Sequence, residues 1–133
     1  MERLELTLKW GVALLGTAAT YLLGEWSELI SFFLLAIVID YLTGIAASIK
    51  GGNGLSSNVG FWGLAKKGLM ILVVILAHRL DELFGTDVIM VGSIYFYLTN
   101  ELISITENYG RLGLPLPNKI KEVITIFKQK GGD

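Results

Sequence analysis

Cysteine is absent from the 133-residue sequence, which excludes disulfides and thiolate metal sites. A single histidine, His78, leaves little for imidazole chemistry, and no metal or cofactor is expected. Charge is scarce as well. Only 17% of residues are charged, against 53% hydrophobic, and mean hydropathy is +0.60. A soluble domain of this size needs more charge than that to cover its surface. The net charge of −1 provides no field that would draw in nucleic acid. Proline occurs twice, while many of the sixteen glycines lie inside apolar segments, a habit of membrane helices rather than of disordered chains.

What is present is a set of uncharged runs: Trp10–Gly24, Leu29–Ile49 interrupted only by Asp40, Gly68–Ala77, and Val88–Asn100, continuing to Asn108 past Glu101 and Glu107. A bilayer core of about 30 Å needs about 20 helical residues. The second run reaches that length alone. The first reaches it by recruiting Leu4, Leu6 and Leu8. The third does so only if 61–64 or 80–84 join, with Lys66, Lys67 and Arg79 snorkelling; otherwise it is a shallow or re-entrant segment. These runs predict an all-α integral membrane protein with about four transmembrane helices in residues 1–109. A Pro/Gly turn and a basic amphipathic tail follow in 110–133.

The charges between the runs set the orientation. With four crossings and a cytoplasmic N-terminus, ten of the eleven basic residues fall inside and only Arg79 outside. The outer loops, 24–28 and 78–87, carry Glu25, Glu28, Asp81, Glu82 and Asp87. That bias follows the positive-inside rule and makes Lys50, Lys66 and Lys67 cytoplasmic anchors. A three-span arrangement, which would send the basic tail outside, is the second reading. The first run makes a poor signal peptide, because its leading region carries two glutamates and no clear small-x-small cleavage site follows. Trp10, Trp26, Trp62 and Tyr109 sit at run ends, as interfacial aromatics do.

Past the fourth run, Gly110–Pro117 stops the helix and Asn118 can cap the next one. In 119–130, Ile120, Val123, Ile124 and Phe127 share one face and most lysines the other, predicting a short helix on the inner membrane surface, drawn by anionic lipid. The stretch GGNGLSSN (51–58) reads as a flexible inner loop and not as a phosphate loop.

Two polar faces stand out. Ala36, Asp40, Gly44 and Ser48 form one stripe of small or polar residues on the second span, with a similar stripe, Gly16, Thr20 and Gly24, on the first. Small residues at this spacing let membrane helices approach closely. On the fourth span Asn100, Ser104, Glu107 and Asn108 share a face, with Glu101 at its edge. A charge at mid-span costs roughly 2.5–3.5 kcal/mol on insertion scales, so these groups need partners or water. Glu101 and Glu107 can pair with Lys66, Lys67 or Arg111. Asp40 can bond Thr43, Ser48 or another helix. Alternatively, the same faces pack between subunits and line water when the subunits rearrange. No nucleophile, base or metal constellation accompanies the carboxylates, so an enzyme is not expected.

Asp40-Tyr-Leu-Thr-Gly44, Leu55-Ser-Ser57, Gly63-Leu-Ala-Lys-Lys67, Asn100–Asn108 and Gly113-Leu-Pro-Leu-Pro117 resemble, in order from about residue 29 to 128, the phage-lysis and toxin-secretion holin family. The resemblance implies a protein that accumulates and oligomerises in the bacterial cytoplasmic membrane. It then opens lesions that release a cell-wall hydrolase, a co-expressed endolysin, or a toxin. Its partners would be lipid, further copies of itself and, functionally, the endolysin. The alternatives are an antiholin or membrane scaffold, and a small ion channel or transporter using the intramembrane carboxylates.

Overall fold

A computed structural model describes residues 1–52 and 57–131. Residues 53–56, which include half of the expected inner loop and Leu55 and Ser56 of the Leu-Ser-Ser motif, lie outside the described residues. The described chain is all helix and turn: α1 Glu2–Leu23, α2 Glu28–Lys50, α3 Ser57–Phe84, α4 Val88–Arg111 and α5 Asn118–Gly131. The first four are each long and apolar enough to cross a membrane.

The third run is part of a much longer element. It extends in both directions into a helix of 28 residues, comfortably longer than a bilayer requires. One consequence is that most of the outer loop expected at 78–87 is helical, and only three residues, 85–87, separate α3 from α4. Gly85 makes this tight corner possible, because its φ of +68° is a conformation other residues rarely adopt.

Helix α4 is the centre of the molecule, packed against α2 on one side and α3 on another. Phe33 of α2, Val74 of α3, and Ile94 and Leu98 of α4 are the largest fully buried side chains. Outward, the bundle is apolar: Leu35, Val38 and Leu42 on α2 and Leu69, Leu72 and Leu76 on α3 are all exposed. Asp40, Asp81, Glu101 and, nearly so, Lys67 are by contrast buried between the helices. This inversion of the soluble pattern suits a lipid surround.

The two terminal helices are appendages. α1 buries no residue and leans on α3 near one end. There Tyr21 stacks on the Arg79 guanidinium, 4.7 Å from ring centroid to Cζ, and Gly24 lies against His78. A side chain at Gly24 would meet the imidazole at 2.7 Å, and the φ of +76° would strain it further.

α5 does not lie apart from the bundle as a surface helix. It folds back along α4, burying Ile124 and stacking Phe127 on Tyr95 with ring centroids 5.8 Å apart. The expected cap also shifts by one residue. Asn118 is the first helical residue, and the Pro117 carbonyl accepts from the Ile120 and Lys121 amides at 3.0 and 3.2 Å.

Candidate functional site: an ion triad between three helices

Asp40, Lys67 and Glu101 lie in the central parts of α2, α3 and α4, and the bundle brings them together. The Lys67 ammonium donates to Asp40 Oδ2 and to Glu101 Oε2, both at 2.7 Å. Asp40 and Glu101 are 8% and 5% exposed. Asn108, about two turns beyond Glu101 on α4, completes the network. Its amide nitrogen lies 2.8 Å from Asp40 Oδ1, 3.1 Å from the Asp40 carbonyl and 3.0 Å from Thr43 Oγ1. Both carboxylate oxygens of Asp40 therefore have donors.

Lys67 reaches this position because α3 carries a stripe at alternating three- and four-residue spacing: Gly63, Lys67, Met70, Val74, Ala77 and Asp81, all buried or half-buried. Lys67 was expected as a cytoplasmic anchor. Its side chain is instead drawn inward, 12% exposed, because two desolvated carboxylates attract an ammonium far more strongly than water-screened headgroups do. Its neighbour Lys66 is exposed, as is Lys50, whose ammonium donates to the Leu112 carbonyl and ties the end of α2 to the end of α4.

A cavity of about 470 Å³ opens beside the triad. Of the residues singled out in the sequence, Asp40, Gly44, Ser48, Asn100, Glu101, Ser104 and Asn108 line it, with Lys66, Lys67 and Arg111 completing a polar wall. Ala36 lies one turn away in the apolar core, and Glu107 is exposed outside the cavity. Counted as fully ionised, two carboxylates and one ammonium leave a formal surplus of one negative charge. Lys66 and Arg111 on the same wall offset it.

Asp81, read from sequence only as an outer-loop acid, is 3% exposed. Its Oδ1 accepts from the Thr86 hydroxyl at 2.6 Å and the Ile89 amide at 2.9 Å, and its Oδ2 accepts from the Met90 amide at 2.8 Å. It thus caps α4 from the last turn of α3, satisfying first-turn amides that no carbonyl of α4 can reach. The signal that could have found Asp81, and that singles out Lys67 among the three basic partners open to Glu101, is the α3 stripe itself, which carries both.

The stripe on α1 behaves differently. Gly16 has open space around it, and Thr17 and Thr20 donate to their own helix's carbonyls at Ala13 and Gly16.

A bundle with an apolar exterior and a buried charge network defines an integral membrane protein whose polar groups serve helix–helix contact. The sequence profile of the bacteriophage holin family matches residues 17–129, and the chain belongs to that family. It is 32% identical over 112 residues to a protein of Bacillus phage phi105 named a probable holin, covering 84% of this chain and 82% of the phage protein. It is 41% identical to an uncharacterised protein of Halalkalibacterium halodurans, covering 94% of this chain and 96% of that one. A 14.9 kDa Clostridium perfringens protein named for the nagH 3′ region is 39% identical, over 98% of this chain and 99% of its own length. No solved structure matches the chain.

Proposed function

We propose that this holin crosses the bacterial cytoplasmic membrane four times with both termini in the cytoplasm. It accumulates there, associates with further copies of itself and opens lesions large enough for a co-expressed endolysin or a toxin to leave. The observation that carries this reading is the Asp40–Lys67–Glu101 triad beside a polar cavity, inside a bundle whose exterior is apolar. A holin must be inert while scarce and permeabilising when crowded. Closed, the triad is satisfied by its own helices and presents no charge to lipid. When helices part at a lesion rim, the same polar wall (Gly44, Ser48, Asn100, Ser104 and Asn108) can be wetted, so opening does not leave charges in hydrocarbon. Satisfaction of both carboxylates by protein donors favours this role over that of a standing ion-binding site.

The test is inducible expression in a bacterium with and without a cytoplasmic wall hydrolase that lacks an export signal, following membrane potential and turbidity together. The expected result is abrupt depolarisation, with clearing only when the hydrolase is present. Gradual ion-selective depolarisation without clearing would replace the proposal with a small channel. Absence of any effect would replace it with an antiholin or scaffold.

A further inference from the structure

The seat of α5 on α4 conflicts with the depth at which it places charge. At about 1.5 Å per residue, Tyr95 lies roughly 10 Å from the Val88 end of α4 and about 24 Å from the Arg111 end. Phe127 stacks on Tyr95, and Lys130 lines a surface hollow with Tyr95 and Thr99. When α4 crosses a bilayer, the end of α5 therefore sits well inside the hydrocarbon, with Lys128 and Lys130 beside it. Snorkelling rescues a lysine near the end of a span but not one beside its middle. The docked position also leaves much of the apolar side of α5 uncovered: Ile120, Val123 and Ile126 remain about half exposed, while Ile124 is buried and Phe127 stacks on Tyr95. Four lysines, Lys119, Lys121, Lys128 and Lys130, accompany one acid, Glu122, on this helix. An apolar side left unsatisfied by the protein, joined to a net basic one, matches the surface of an anionic bilayer. The turn at 112–117 allows the exchange, because Gly113, with φ +78°, and the two prolines leave that segment outside any helix.

We propose that α5 has two seats, the α4 face seen here and the surface of an anionic bilayer, and that it moves to the second when α4 crosses the membrane. The move keeps all four lysines in water or among headgroups and uncovers Tyr95 and Thr99 on α4.

The absence of native cysteine makes the test direct. Full-length protein carrying Tyr95→Cys and Phe127→Cys is treated with a short bismaleimide, in micelles and in phosphatidylglycerol vesicles, and the linked 95–127 peptide pair is quantified by mass spectrometry. The yield is expected to fall at least tenfold in the vesicles. Equal yields would overturn the proposal. Replacing the four lysines with glutamine is expected to restore linkage in the vesicles, and an undiminished loss would remove the lysines as the cause. A nitroxide at Ile126→Cys supplies a measurement that leaves the stacked pair intact. In phosphatidylglycerol vesicles it should report the interface, less open to an aqueous nickel relaxant than in phosphatidylcholine. A midplane position, or identical accessibility in the two lipids, would overturn the exchange or its anionic partner.

Discussion

Two helices of this protein carry stripes of small and polar residues; the one on α2 finds partners along its length, and the one on α1 only at its Gly24 end, against His78. On α2, Ala36 is buried in the core, Asp40 is held by Lys67 and Asn108, and Gly44 faces the Asn108 amide, which would lie 3.6 Å from an added Cβ. On α1, Gly16 meets nothing. Small residues permit close approach without driving it, since lipid tails are as apolar as the helix surfaces they would leave. What seats α2 is a set of polar groups that cannot be satisfied on their own helix. Thr17 and Thr20 of α1 are satisfied by backbone carbonyls one turn back, so nothing in α1 demands a neighbour.

The largest expected effect breaks the driven contact. Lys67→Met leaves two buried carboxylates facing each other and should destabilise the detergent-solubilised bundle by about 3–5 kcal/mol, read by titration with a denaturing detergent. The triple variant Asp40→Asn, Lys67→Met, Glu101→Gln removes the charges together and should recover most of that loss. Failure to recover would show that the ion pairs themselves, rather than the uncompensated charge, hold the helices.

A smaller effect sharpens the contrast at the other end of the bundle. Asp81→Ala removes the acceptors for the Ile89 and Met90 amides and should cost about 1–2 kcal/mol, with faster hydrogen exchange confined to the first turn of α4. Exchange spread evenly along α4 would instead mean that Asp81 supports the whole bundle.

The smallest effect is expected on α1. Gly16→Ala with Thr20→Ala should change the unfolding free energy of the isolated chain by no more than about 0.5 kcal/mol. A loss several times larger would place α1 against the bundle and end the comparison.

By itself, the sequence determined the membrane class, the number of long helices and the polar faces on α2 and α4, because these follow from run length, charge scarcity and helical period. It also brought Asp40, Glu101 and Asn108 forward as groups in need of partners. Which groups answered that need was decided by tertiary structure. Lys67 looked like a boundary anchor because it adjoins Lys66 at the edge of a short run, and only the packing of α3 on α4 carries it to the two carboxylates. Asp81 looked like a solvated loop acid because the length of α3 was not legible from ten uncharged residues. The placement of α5 likewise depended on the turn at 112–117, on the burial of Ile124 and on the stacking of Phe127 on Tyr95. Each of these outcomes pairs residues on different helices or across a turn, and helical periodicity shows which face a residue occupies without showing what will stand opposite it.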